Sequence, residues 1–337
     1  MVASPHLIGI GSGIVAAVLF ASLATNTWLA ALLFYVAPLP LLLARLGWGR
    51  VAGQLAFVTA IALVGFILSL KTAIFYSVAI ALPALLLGYL ALLHRELLPE
   101  DAEGRSLPDM PPVVQWYPPG RIIAWVAVIA GALVACGLLL LTSNADIYHQ
   151  SVRKVFEESI LPQVQSSGVP IDGLRAERYI SLVSRLLLPS VASIAWMFVM
   201  LLNLWLAGKT ASISGLLERP WPRMAALEYP PLMTLGFLAS VGVALLPGMP
   251  GIVAMAFVGA FGFAYLLLGL VVLHQVMAGS PFKPLFLAGL YLGILLIDWG
   301  AVAVAVIGLA EPLFELRQRS LRRPAPPPKG GDNCPPQ

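Results

Sequence analysis

Long apolar runs, separated by short polar turns, occupy most of this 337-residue chain. Several of them reach the ~20 residues that a helix needs to cross a bilayer. Short turns between the first four runs predict antiparallel neighbours. Small-residue spacings, such as Gly9 with Gly13, allow helices to approach closely. The candidate spans are 7–24, 28–44, 51–70, 72–93, 122–141, the apolar part of a helix over 173–207, 232–246, 252–273 and 285–310.

A polar stretch over residues 144–185 interrupts these runs near the middle of the chain. Tyr148, Val152 and Phe156 recur every four residues and charged side chains fill the other faces, which predicts an amphipathic helix. This helix should end at Pro162. A second helix over 173–207 would measure roughly 50 Å, so its first turns should project beyond a ~30 Å hydrocarbon core. Pro189 should kink it near the interface.

The expected fold is therefore all-α: a polytopic membrane helical bundle with eight to nine transmembrane segments and one amphipathic extramembrane helix. Prolines within residues 94–121 exclude a regular helix there and mark a boundary. The expected organisation is an N-terminal four-helix membrane block (1–93), a Pro-rich polar loop (94–121), a fifth span (122–141), a polar segment with the amphipathic helix (142–185), a C-terminal membrane helical block (186–312) and a basic, Pro-rich disordered tail (313–337).

Basic residues in the loops normally indicate which side of the membrane is cytoplasmic. If every run crosses completely, these residues divide almost evenly between the two sides and indicate no orientation. One run should therefore be a half-span or a re-entrant piece. The candidates are 232–246, which is short, and 285–310, which contains a central Asp298. With eight full crossings, the N-terminus and the basic tail both lie inside.

Composition supports a lipid-covered surface. The chain is 59% hydrophobic and 11% charged, whereas a soluble domain carries roughly 25% charged residues. The net charge of +4 comes mostly from the tail and forms no basic helix face, so it indicates membrane-surface charge rather than nucleic-acid binding. Cys136 and Cys334 belong to no metal or redox motif, and no metal or cofactor is expected.

Three polar residues within the apolar runs are candidates for a ligand or proton pathway: Asp298, Asn203 and Gln54. A carboxylate at the bilayer centre is costly and normally faces the bundle interior. The alternative for Asp298 is a break between two short helical pieces. For Asn203 and Gln54 the alternative is interhelical hydrogen bonding.

Catalytic motifs are missing from the sequence. Gly208, Lys209 and Thr210 look like the end of a phosphate loop, but the Gly required five residues earlier is Asn203. No paired carboxylates or nucleophile motif occur, and the four histidines are scattered. We expect a protein that is not an enzyme.

Four short segments give the chain a resemblance to the YybS-like family of uncharacterised multi-pass bacterial membrane proteins. They are PLP at 38–40 followed by ARLGWG at 44–49, the helix over 189–207 with Asn203, GLVVLH at 269–274 and GLAEPLFELRQR at 308–319. This family is distantly similar to substrate-binding S components of energy-coupling-factor transporters. The resemblance implies a bacterial cytoplasmic (inner) membrane location and a separate ATPase as partner.

Two functional hypotheses follow. The first is a substrate-binding or permease-like transporter component without its own ATPase, with Asp298, Asn203 and Gln54 lining its cavity. The second is a non-catalytic membrane scaffold or assembly factor, which would bind a partner protein through Val152 and Phe156 of the polar segment. In both, the lipid bilayer is the first partner.

Overall fold

The structure, a computed structural model, describes residues 4–98, 111–160, 162, 173–222, 227–297 and 299–314. The middle of the Pro-rich loop, the turn after Pro162, Asp298 and the tail from residue 315 lie outside the described residues. Helices dominate the rest, which confirms the all-α fold. They are α1 (Pro5–Ala21), α2 (Trp28–Val36), α3 (Pro38–Ile67), α4 (Leu70–Tyr76), α5 (Leu82–Leu92), α6 (Pro119–Leu141), α7 (Ala145–Val155), α8 (Gly173–Leu182), α9 (Leu188–Ile213), α10 (Pro231–Ala244), α11 (Met249–Val276), α12 (Lys283–Leu296) and α13 (Gly300–Phe314).

Six helical runs of the described chain are long and apolar enough to cross a membrane. A seventh is added if α12 and α13, which meet at a bend of 119°, form one broken span. The expected eight to nine segments are not all present as separate long helices, for two reasons. Two predicted spans are joined in the single run Trp28–Ile67, and α10 has only 14 residues. The end of α12 at Leu296 agrees with the predicted break near Asp298.

The 40-residue run Trp28–Ile67 folds back on itself at Gly49. Gly49 has φ 81° and ψ −160°, a conformation that glycine adopts readily and other residues do not. A Cβ on Gly53 would lie 2.9 Å from the Cβ of Arg45, although residues eight apart in a straight helix are separated by about 12 Å. The run is thus a helical hairpin with arms 28–48 and 50–67, as the predicted boundary between 28–44 and 51–70 requires.

Three π-helical turns each end two residues before a proline. They are Ser77–Ala81 before Pro83, Phe156–Ile160 before Pro162 and Val183–Leu187 before Pro189. Proline lacks an N–H and its ring clashes with the carbonyl four residues earlier, so the preceding turn widens. At Pro83 the orphaned carbonyl is that of Ala79, and the indole Nε1 of Trp196 donates to it at 2.9 Å. Before Pro189, where a kink is predicted, the helical run Glu177–Ile213 passes through a widened turn over Val183–Leu187.

Small residues set the packing of α1 against the second arm of α3. A Cβ on Gly9 would come within 2.7 Å of the carbonyl oxygen of Ala52, and one on Gly13 within 2.7 Å of that of Ala56. The close approach predicted from the Gly9 and Gly13 spacing is therefore confirmed.

The chain divides into two compact units, Met1–Ala264 and Tyr265–Gln337. In the first unit, helices run between two ends that we call the collar and the cap. The collar comprises residues 45–50, 89–97, 113–121 and 208–222, and the cap comprises residues 142–160 and 173–187. In the second unit, α13 packs tightly on the last turns of α11, because a Cβ on Gly269 or Gly308 would overlap backbone atoms of Val304 or Tyr265.

A two-stranded antiparallel hairpin lies in the collar. It is formed by β1 (His94–Leu97) and β2 (Val113–Trp116), with His94 opposite Trp116 and Arg95 opposite Gln115. The sequence excluded a helix between 94 and 121 but gave no indication of paired strands. Both ends of the predicted loop are therefore ordered next to the helices that they follow and precede.

Candidate functional site

Asn203 is a polar side chain in the interior of the bundle, on α9. It is only 2% exposed. Its amide nitrogen donates to the carbonyl oxygens of Tyr35, at 2.9 Å, and Val199, at 2.8 Å. Its Oδ1 atom is buried and has no hydrogen-bond partner among the described residues. An unsatisfied buried acceptor costs about 1–3 kcal/mol, so this oxygen is available to a donor that enters the bundle.

The other two predicted pathway residues do not join Asn203. Gln54 is exposed on α3, and Asp298 lies outside the described residues. A second buried polar atom, the hydroxyl of Tyr76, also lacks a partner in the described part of the chain. The hydrogen bond to Tyr35 joins α9 to α2. Asn203 therefore makes the interhelical hydrogen bond that the sequence offered as the alternative to a pathway role.

Arg219 fixes the collar to the helix ends. Its Nη1 donates to the carbonyl oxygen of Ala91 at 3.0 Å, near the end of α5, and its Nη2 to that of Tyr117 at 2.9 Å, before α6. The last carbonyls of a helix have no partner within the helix, so a cation is well suited to cap them. Burial lowers the pKa of Arg219 from its ordinary value. The guanidinium still stays charged at neutral pH, because arginine titrates far above it.

Arg45 lies almost fully buried at the same end, with 8% of its surface exposed. Its side chain packs on two glycines from different helices. A Cβ on Gly53 would lie 2.8 Å from its Cδ, and one on Gly88 would lie 2.7 Å from its Cγ. The guanidinium carbon lies 6.0 Å from the ring centroid of Tyr89. Any larger residue at either glycine would displace this arginine.

Aromatic rings accompany two other collar cations. Lys209 lies 5.3 Å from the ring centroid of Trp221, and Arg121 lies 6.0 Å from that of Tyr117. Rings and cations together are typical of the headgroup region, where one end of each side chain is apolar and the other is wet. The collar is therefore the part of the first unit that is best suited to contact anionic groups.

Hydroxyl groups, apolar contacts and the guanidinium of Arg185, which donates to the carbonyl oxygens of Ala244 and Leu246, hold the cap. The phenol of Tyr148 donates to the carbonyl oxygen of Ser184 at 3.0 Å, and Nδ1 of His149 lies 2.6 Å from the Ser184 Oγ. Burial raises the pKa of Tyr148. Ser184 has no exposed surface, and its hydroxyl also bonds the carbonyl of Ser181 at 3.2 Å. The His149 and Ser184 pair therefore serves to fix the cap rather than to attack a substrate.

Val152 and Phe156, the predicted docking residues, face the chain's own helices. Phe156 is 3% exposed, and its ring lies 5.6 Å from that of Tyr179. Val152 is partly buried beside the cluster of Tyr148, Met249 and Ile252. The apolar stripe of α7 is thus covered within this chain, and the outer face of the cap carries exposed ion pairs such as Lys154 with Glu158.

The sequence did not indicate Arg45 or Arg219 as site residues. In the sequence, both are simply basic residues in loops. Their partners, backbone carbonyls for Arg219 and an aromatic ring for Arg45, cannot be identified from the pattern of side chains. The spacing of Gly49 and Gly53 next to Arg45 was the one available signal. Among the described residues, no three His, Cys, Asp or Glu side chains are grouped to hold a metal ion.

A model of the family described as "Predicted membrane protein (DUF2232)" matches residues 14–311, which include nearly all the helices. No curated protein and no solved structure matches the chain.

Proposed function

The chain belongs to the DUF2232 family of predicted membrane proteins, and from this premise we propose that it is a substrate-binding or permease-like transporter component without its own ATPase. The ligand would bind inside the helix bundle, and a separate ATPase would supply the energy. The resemblance to YybS-like proteins and to the S components of energy-coupling-factor transporters supports the same assignment. So does the presence of several apolar helices able to cross a membrane, which we propose to be the bacterial cytoplasmic membrane.

The observation that carries this proposal is the unpartnered Oδ1 of Asn203. The bonds of Asn203 within the described protein use only its amide nitrogen, which donates to Tyr35 of α2 and to Val199 of its own helix. The acceptor that remains is buried in the bundle and suits a ligand N–H or O–H group. Membrane proteins normally satisfy such groups or use them for function.

The topology that fits this proposal has eight full crossings. The Gly49 hairpin supplies two of them. The short α10 supplies another, because Arg185 in the cap donates to the carbonyl oxygens of Ala244 and Leu246 at the end of that helix, while α10 begins just after the collar. The bent pair α12 and α13 would then be a re-entrant piece, with the N-terminus and tail both cytoplasmic.

The scaffold hypothesis has less support. It needs Val152 and Phe156 to be available to a partner protein, and Phe156 is buried against Tyr179. A partner would have to open the cap before it could reach this ring. No catalytic step is proposed for the chain.

Ligand retention tests the proposal. The full-length protein would be purified gently, and the small molecules released on denaturation would be identified by mass spectrometry. We expect one compound to accompany the wild type and to be lost from Asn203→Leu, because leucine fills the site but accepts no hydrogen bond. Asp298→Asn in the same assay would test the second predicted pathway residue.

Ser193→Ala is the matched control for Asn203→Leu. Ser193 is equally buried on the same helix, but its hydroxyl is satisfied within that helix by the carbonyl of Ser190. This variant should retain the compound. Equal retention by folded Asn203→Leu, or a wild type that carries no small molecule, would overturn the proposal.

A further inference from the structure

The Arg45 guanidinium lies at the membrane end where the helical hairpin turns. It stands four residues before Gly49, and Trp48 and Trp221 belong to the same collar. Interfacial tryptophans and the hairpin turn place this end at the depth of lipid headgroups. A charge at this depth can meet either the phosphate groups of lipids or those of dissolved anions.

The side chain of Arg45 is held in place before any ligand arrives. Gly53 and Gly88 enclose its aliphatic part, and Tyr89 covers one side of the guanidinium. Its surroundings are fixed by close backbone packing, because Gly53 belongs to the second arm of the hairpin and Gly88 to α5. Little conformational entropy is therefore left to lose when an anion binds.

The donors of this guanidinium are unused. Among the described residues it makes no hydrogen bond and no ion pair, although arginine has five N–H donors. Arg45 keeps 8% of its surface exposed, so it is not sealed off from outside. A nearly buried cation without an acceptor is unfavourable, and an anion would relieve that cost.

The neighbouring charges favour an anion but limit its affinity. Arg50 adds positive potential at Arg45, whereas exposed Glu218 opposes it. Tyr89 contributes its ring and no charge. Arginine binds phosphate oxygens through two parallel hydrogen bonds, for which the N–H groups of Arg45 beside the Tyr89 ring remain available.

We propose that Arg45 is a binding site for a phosphate group at the collar, carried either by the headgroup of an anionic lipid or by a dissolved phosphate compound. This site is separate from Asn203 and does not depend on the transport proposal. It predicts that phosphate-bearing molecules bind at the collar.

Two experimental arms distinguish the sources. In the first, the full chain is placed in vesicles of phosphatidylcholine and phosphatidylglycerol in equal parts, and the lipids retained after detergent transfer are counted by native mass spectrometry. In the second, inorganic phosphate is added to the protein in neutral detergent, and thermal unfolding is compared with chloride at equal ionic strength. Retained phosphatidylglycerol indicates the lipid source, and stabilisation by phosphate indicates the dissolved source.

Arg45→Gln should weaken whichever interaction the wild type shows by at least roughly tenfold, since the charged donors are lost. Arg45→Lys keeps the charge and a similar stem, so it should fold even if the glutamine variant does not. It should still lose roughly tenfold, because lysine cannot form the paired bonds. Arg50→Gln removes an equal charge nearby and should change binding less than about twofold, as expected for exposed charge.

Three results would overturn the proposal. One is a folded wild type that neither retains phosphatidylglycerol nor responds to phosphate. The second is full binding by the Arg45→Lys variant, which would show that only diffuse charge matters. The third is an equal loss in Arg50→Gln and Arg45→Gln, which would place the effect in the general surface potential.

Discussion

The collar and the cap both fasten loops to the ends of one helix bundle, but they do so with different chemistry. In the collar, the half-buried guanidinium of Arg219 bonds two backbone carbonyls, and Arg45 is enclosed by glycines. In the cap, Tyr148 and Phe156 are buried, while the ion pairs of Arg153 are exposed. Arginine is thus structural where it bonds backbone carbonyls, as Arg219 does in the collar and Arg185 does in the cap, and peripheral where it pairs only with exposed glutamates, as Arg153 does.

The difference follows from what each cation bonds. A backbone carbonyl cannot move away, and leaving it unpaired in a dry place is costly. A glutamate on an exposed helix can turn to water, and its pairing with arginine contributes little. The contribution of each arginine to stability is therefore set by its surroundings. The number of charges along the chain does not predict it.

Among the substitutions that test this comparison, Arg219→Ala should lower the free energy of unfolding most. It leaves the carbonyls of Ala91 and Tyr117 without their donors, and we expect a loss of roughly 3 kcal/mol in the free energy of unfolding. Unfolding in mixed micelles, followed by tryptophan fluorescence, would measure it. Arg219→Lys should fall between wild type and alanine. A loss below that of a typical surface substitution would show that the collar is held by other contacts.

Tyr148→Phe should have an intermediate effect of about 1 kcal/mol, because it removes one hydrogen bond to Ser184 and leaves the ring in place. Burial raises the pKa of the Tyr148 phenol above its ordinary value of about 10, so the folded state holds this proton more tightly than the unfolded state. The contribution is complete below pH ~10 and is lost as the pH rises through the folded pKa.

The pH dependence can be isolated by subtraction. The difference in unfolding free energy between wild type and Tyr148→Phe should shrink as the pH is raised from about 9 to above 10. Other tyrosines titrate equally in both proteins and cancel. A difference that stays constant over this range would exclude Tyr148 as an alkaline-sensitive contact.

Arg153→Ala should have the smallest effect, below about 1 kcal/mol, although this arginine pairs with both Glu157 and Glu177. Its side chain is 44% exposed, so added salt should shrink the effect further. The same unfolding assay applies. A loss equal to that of Arg219→Ala would remove the distinction between arginines that bond backbone carbonyls and arginines in exposed ion pairs.

The helices were largely predictable because their signal is local. The expected run 122–141 corresponds to α6 (Pro119–Leu141), and 252–273 lies within α11 (Met249–Val276). The predicted boundary between the spans 28–44 and 51–70 coincides with the Gly49 turn. It could be predicted because Arg45 and Arg50 interrupt the apolar pattern, although length and hydropathy alone would give the single 40-residue run Trp28–Ile67. The prolines at 83 and 189 each act on the turn immediately before them.

The contacts between distant segments were not predictable in the same way. The β1 and β2 strands have four residues each, too few for an alternating pattern to be recognised, and their pairing joins residues 94 and 116. The acceptors of Arg219 are main-chain atoms, which every residue possesses, so no sequence pattern marks them. Asn203 was identified because a carboxamide is conspicuous in an apolar helix, but its free oxygen became evident only from its neighbours.

The Gly49 turn has a consequence for how the chain enters the membrane during synthesis. Its two arms are joined without a polar loop, since only Trp48, Gly49 and Arg50 lie at the turn. If the first arm crossed alone, the ribosome would extend an apolar second arm into water. The lower-energy route is for both arms to leave the translocation channel as a pair, with the turn remaining on the side where it began. Any non-glycine residue at position 49 would strain this turn, because its φ is 81°, and would therefore first impair insertion of the chain into the membrane.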